Sequence, residues 1–229
     1  MPQTLLFDAD DTLWENNIYF ERAIEGFIDL LAHPTWSPQE VRSAFNAVEH
    51  ERVKVHGYGA ASFRASLIAA LQQFHARACT SAETERIHAL TAAILEARVE
   101  LLPGVEHTLH DLAERHTLVL MTKGDPSEQT SKLQRSGLAP LFGHVEVVRE
   151  KHREAYLDLR HRHRHDAQTT WMIGNSTKSD INPALAAGLH AVFVPHPNTW
   201  VLEHEAVVTP PPGQHLMELG SLTDLLNYF

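Results

Sequence analysis

Five short, mostly apolar runs constrain this chain more than any other feature: residues 4–7, 118–121, 145–148, 170–173 and 191–194. Short connections and helical stretches separate the last four. A strand that is apolar along its whole length has to be covered on both faces. The pattern therefore predicts an α/β fold, a doubly wound, Rossmann-like parallel sheet with helices on either side.

The gap between the first two runs reads differently. Phe20, Ala23, Ile24, Phe27, Ile28 and Leu31 recur every three or four residues, the spacing of one helical face, before Pro34. Ser37-Pro38-Gln39-Glu40 combines a capping serine, a proline at the first helical position and a glutamate three residues after the cap. Val41, Phe45, Val48 and Val55 stripe the helix that follows, and Gly57-Tyr58-Gly59 breaks it. Phe63, Leu67, Leu71 and Phe74 mark a third helix. Thr80 and Glu83 open a fourth, with Ile87, Leu90, Ile94 and Leu95. Residues 16–98 thus read as one inserted all-helical domain, and 1–15 with 99–229 as the sheet-bearing core. Within the core, helices are expected near Leu109 and Leu112 and from Ser127 to Ser136, stopped by Gly137. Residues 195–215 are expected to form a surface loop, with Pro210-Pro211-Pro212-Gly213 a stiff linker before a last helix.

A formal net charge of −10 leaves no basic excess to neutralise phosphates, which argues against a nucleic-acid partner. The one cysteine, Cys79, cannot form an internal disulfide, so a reducing compartment is expected. The start has no basic region, and its apolar run stops at Asp8, too short for a secretion signal. No stretch reaches the roughly 18 apolar residues that cross a bilayer. The expectation is a cytoplasmic protein with no membrane partner, monomer or homodimer.

Four of the runs end in polar groups suited to one phosphate-plus-metal site. Asp8 and Asp10 follow the first, and residues i and i+2 of extended backbone point the same way. Two carboxylates so close repel unless a proton or cation lies between them, and a hard cation such as Mg²⁺ takes such oxygens. Thr122 ends the second run, and Lys123 and Gly124 begin a turn whose N–H groups could hold an anion. Lys151 follows the third run. Gly174-Asn175-Ser176-Thr177-Lys178-Ser179-Asp180 follows the fourth. Ligands of open α/β sheets bind at these carboxyl ends.

Phe7-Asp8-Ala9-Asp10-Asp11-Thr12-Leu13 resembles the first motif of the haloacid dehalogenase-like hydrolase superfamily. Thr122, Lys151 and the segment 174–180 match its second, third and fourth motifs, although the proline that often follows the third-motif lysine is absent. The helical insertion is similar to the family's cap domain. The resemblance implies a Mg²⁺-dependent phosphatase acting on a small phosphorylated metabolite. Asp8 would be the nucleophile, Asp10 the general acid and base, and Thr122 and Lys151 the phosphoryl binders. Asp8, the Asp10 carbonyl and the fourth-motif residues Asn175 and Asp180 would hold Mg²⁺. Family phosphatases commonly carry Asp where Asn175 stands, so one ligand here is neutral. The same resemblance admits a 2-haloacid dehalogenase, whose nucleophilic Asp attacks carbon without metal. Asp10 speaks against that reading, while Tyr156 and Asn175 resemble its pattern. A non-catalytic binding module on this fold is a further alternative, which the intact Asp8, Asp10, Thr122 and Lys151 disfavour.

Two other features invite functional readings. His161 and His165 fall four apart, one face of a helix, but the intervening arginines favour a solvated helix end over a metal site. Trp14 and Tyr19 could line a substrate entrance.

Overall fold

The computed structural model describes residues 1–229. In chain order its elements are β1 (Thr4–Phe7), α1 (Asn17–Leu31), α2 (Pro38–His56), α3 (Ala60–His75), α4 (Ser81–Glu96), α5 (Val105–Ala113), β2 (Thr117–Lys123), α6 (Pro126–Ser136), β3 (His144–Val148), α7 (Arg153–His163), β4 (Thr170–Gly174), α8 (Asn182–Ala186), β5 (His190–Phe193) and β6 (Leu216–Glu218). They form two compact units, Met1–Asn17 with Val99–Phe229, and Ile18–Arg98.

In the first unit the strands pair in the order β3-β2-β1-β4-β5-β6, and every pair is parallel. Phe7 is in register with Leu120 on one side and Ile173 on the other. Alternation then fills both faces. Leu5, Phe7, Leu120, Ile173 and Val192 pack with Leu109 and Leu112 of α5. Leu6, Val119, Met121 and Met172 pack with Tyr156 and Leu159 of α7. Each such side chain contributes about 1.5–3 kcal/mol when fully buried. The strand order reverses beside β1, between β2 and β4, and this switch point is where such sheets open a ligand crevice.

The sheet departs from expectation at its margins. β3 is an edge strand, so Val145 is exposed although its run is apolar. The 195–215 segment is largely irregular, but it includes a 3-10 turn, Val201–Glu203, that buries Glu203. β6 follows this segment, and the expected last helix is a 3-10 stretch, Leu222–Asn227.

The second unit holds the body of α1 through α4 around Ile24, Phe27, Phe45, Phe63, Leu67 and Ile87. Both expected capping boxes form, Ser37 with Glu40 and Thr80 with Glu83. Gly57 ends α2 at φ 74°, a left-handed value that glycine adopts without strain. Val55 and Leu95 lie outside the apolar faces and are exposed. No helix is long and apolar enough to cross a membrane.

Candidate active site

β1 delivers Asp8 to the switch point, where its N–H still donates to Ile173 O at 2.9 Å. The chain then turns sharply. Asp11 adopts φ 60°, its N–H donates to Trp14 O, and Leu13 N–H donates to Ala9 O. This turn folds Thr12 back so that its hydroxyl lies 3.0 Å from Asp8 Oδ2 and 3.2 Å from Asn175 Oδ1. Asn175 is oriented by its own amide, which donates to Thr199 Oγ1 at 2.9 Å.

Lys151, 4% exposed, reaches in from the segment after β3. Its ammonium donates to Asp8 Oδ1 and, at 2.8 Å, to Asp180 Oδ1. The other Asp180 oxygen accepts the Ser176 N–H at 2.9 Å. A side chain at Gly174 would collide with the Asp180 carboxylate, so glycine is the residue that lets β4 end here. A single π-turn, Thr177–Ile181, capped by the Ser176 hydroxyl, carries Asp180 inward. Thr122, 2% exposed, ends its buried run on the neighbouring strand.

Asp8, Thr12, Lys151, Asn175 and Asp180 therefore meet at one point. Burial pushes the Asp180 carboxyl up to about 7, Asp8 adds to that, and Lys151 opposes it. Burial would lower Lys151, but Asp180 and Asp8 override it and hold the ammonium above its ordinary value. Tyr156 is fully buried, and its hydroxyl donates to Ser179 O at 2.8 Å.

Other expected site residues face other partners. The Asp10 carboxylate accepts from Trp14 Nε1 at 2.7 Å, Gln129 Nε2 at 2.8 Å and Lys132 Nζ at 2.8 and 3.0 Å. Burial would raise Asp10, yet Lys132, Gln129 and Trp14 together hold it below the usual carboxylate value. The Lys123 ammonium is bound by Glu203 and Ser179, and the Gly124 N–H donates to Val148 O at 3.3 Å. Trp14 is 1% exposed, so it is core rather than an entrance wall. Lys132, Gln129 and Glu203 were not foreseen in the sequence, because each acts more than 75 residues along the chain from the group it holds. Beside the turn, Asp11, Glu15 and His196 bring one ligand atom each within 4.8 Å of one another.

The oxygen cluster fits a hard cation. Thr12 has a single hydroxyl proton, yet two acceptors, Asp8 Oδ2 and Asn175 Oδ1, lean on it. One of them lacks a donor. Two buried carboxylates also share the single Lys151 ammonium. A divalent ion would satisfy both deficits.

Residues 2–188 match the sequence profile of haloacid dehalogenase-like hydrolases. No curated protein matches the chain. Among solved structures, a haloacid dehalogenase-like family hydrolase from Xanthomonas campestris is 29% identical, with 97% of this chain and 92% of that one covered and a TM-score of 0.82. A predicted phosphoglycolate phosphatase from Haemophilus somnus is 18% identical over 99% of this chain and 97% of that one, TM-score 0.62. L-2-haloacid dehalogenase from Xanthobacter autotrophicus is 15% identical over 99% and 98%, TM-score 0.64. The last two share the fold and are named for different chemistries, so the fold alone does not choose between them.

Proposed function

Because the chain belongs to the haloacid dehalogenase-like hydrolase family, we propose that this enzyme hydrolyses a small phosphate monoester with Mg²⁺, by phosphoryl transfer to Asp8. The observation that carries the reading is the shortage of positive charge around the nucleophile. Asp8 and Asp180 share one ammonium, and Asp8 and Asn175 share one hydroxyl proton. A carboxylate attacking a phosphate monoester meets about two negative charges where a haloacid carries one, so phosphoryl transfer has the greater need of added positive charge.

In this reading Asp8 attacks phosphorus, the bond to the leaving oxygen breaks, and the phosphoryl group passes to the carboxylate. Lys151 holds Asp8 in place and offsets phosphoryl charge. Thr122 donates to a phosphoryl oxygen. Asp10 gives a proton to the leaving oxygen and then takes one from the water that attacks the aspartyl-phosphate. Mg²⁺, held by Asp8, Asn175 and the Asp10 carbonyl with Asp180 behind them, would supply charge neutralisation and fix the phosphate. Substrate selection is assigned to the helical unit by its resemblance to the family's cap domain.

Asn175 in place of an acid favours a second reading, dehalogenation of a 2-haloacid by the same Asp8. The two separate cleanly in assay. Purified protein with Mg²⁺ should release phosphate from p-nitrophenyl phosphate, and Asp8→Asn should not. Release of halide from chloroacetate without metal, and no phosphate, would replace the first reading with the second.

A further inference from the structure

Far from Asp8, at the end of the sheet where the strands begin, four titratable side chains meet. His144 opens β3, and Glu146, two residues on, shares its face of the strand. α7 stops at His163, Arg164 turns left-handed at φ 56°, and His165 N–H closes back on Arg160 O at 3.0 Å. His161 and His165 therefore do not share a helical face, in keeping with the expectation that they form no metal site. His163 and His165 gather against His144 instead. The ring centroids lie 4.1 Å apart for His144 and His163, 5.6 Å for His163 and His165, and 6.3 Å for His144 and His165.

The cluster holds an orphan. His165 Nε2 is buried and bonds nothing, while Nδ1 faces Thr4 Oγ1 at 3.5 Å. Burial, then His163 and His144, lowers His165 and keeps it neutral, the form that ligates metals. Arg162 is neutralised by Glu146 through two contacts of 2.9 Å, and Glu146 also accepts from His163 Nε2 at 2.7 Å.

We propose that His144, His163 and His165 form a second metal site, for a borderline divalent ion such as Zn²⁺, independent of the catalytic centre. Three imidazoles on one tetrahedral ion, with bonds of about 2.1 Å, place their ring centroids about 5 Å apart, so on loading the His144–His163 pair opens from 4.1 Å and the His144–His165 pair closes from 6.3 Å. Loading turns the His144 and His163 side chains about Cα–Cβ, which moves the rings, as well as about Cβ–Cγ, which aims their nitrogens. It exchanges the His163–Glu146 hydrogen bond for a metal bond, and Glu146 stays on Arg162. Neutral imidazoles select Zn²⁺ or Co²⁺ over Mg²⁺, so the two sites would not compete for one ion.

The test is a Co²⁺ titration of the chelator-stripped full chain in excess Mg²⁺, read by visible absorption. One Co²⁺ per chain is expected, with the intense band of a tetrahedral nitrogen site that Zn²⁺ abolishes. His144→Ala and His163→Ala should each weaken binding by about tenfold or more, and His161→Ala should leave it unchanged. His144 is exposed, so its removal spares the fold, which an unaltered melting temperature verifies. Absence of the band, binding that persists in both variants, or loss of binding in His196→Ala instead would each overturn the proposal.

Discussion

Lys151 donates to Asp180 Oδ1 at 2.8 Å with both side chains 1% exposed, and the same ammonium also holds Asp8. The lysine is the only side-chain cation bonded to either carboxylate. Lys151→Met should therefore cost about 3–5 kcal/mol of stability, the penalty for leaving buried charge unpaired. Urea denaturation measures it, and added Mg²⁺ should recover part of the loss if that ion occupies the same oxygens.

Lys132 governs the second acid of the site. Its ammonium, with Gln129 and Trp14, keeps Asp10 deprotonated, which suits a base and hinders an acid. Lys132→Met should let Asp10 hold its proton to higher pH. The alkaline limb of kcat for an alkyl phosphate should move upward, because an alkoxide needs that proton to leave. Nitrophenolate leaves without one, so p-nitrophenyl phosphate should show no such shift.

Two buried carboxyls predict opposite pH slopes. Lys123, together with Ser179 and Ser176, overcomes the effect of burial and holds Glu203 below its ordinary 4.5. Its stabilisation is present above that value and is lost as pH falls through the folded pKa. Glu203→Gln should weaken the fold at pH 7 by about 3 kcal/mol and flatten the acid loss. Burial, with Asp10 and Asp8, pushes Asp11 from 3.8 up to about 7 against the N–H groups of Asn16 and Asn17. Asp11 therefore contributes fully below 3.8, and that contribution is lost progressively as pH rises from 3.8 to about 7. Asn at this position keeps an acceptor for both N–H groups, at Oδ1. Asp11→Asn should be more stable than the parent above pH 7, by about 3 kcal/mol or less, and equal to it near pH 4. Thermal melts across pH check both slopes.

The neutral ligand makes its own prediction. Asn175→Asp adds one negative charge beside Asp8, and Thr199 must turn its hydroxyl proton from His196 O to the new carboxylate. Mg²⁺ affinity should rise by about tenfold or more, given the size of one added charge at contact distance. Isothermal titration measures the change, and equal or weaker binding would remove Asn175 from the ligand set.

Much of this was legible in the sequence because it is local. Apolar runs mark strands, and the residues just past them are carried to the sheet's carboxyl ends, so Asp8, Lys151, Asn175 and Asp180 meet. Both capping boxes are likewise four-residue patterns. What was hidden depends on distant partners or on exact element ends. Nothing near Asp10 in sequence announces Lys132, and nothing near Lys123 announces Glu203, because the fold alone joins them. β6, three residues long, is too short to give a periodic signal. The gathering of His163 and His165 against His144 was hidden because it depends on α7 ending before His165, at the left-handed Arg164.

The most direct test of the central claim is mass spectrometry of enzyme quenched with acid during turnover of a phosphate ester with Mg²⁺. The account predicts one phosphoryl adduct on the peptide carrying Asp8, absent from Asp8→Asn. No adduct on that peptide in enzyme shown to be turning over, or a carbon ester on Asp8 after incubation with a 2-haloacid in its place, would contradict it.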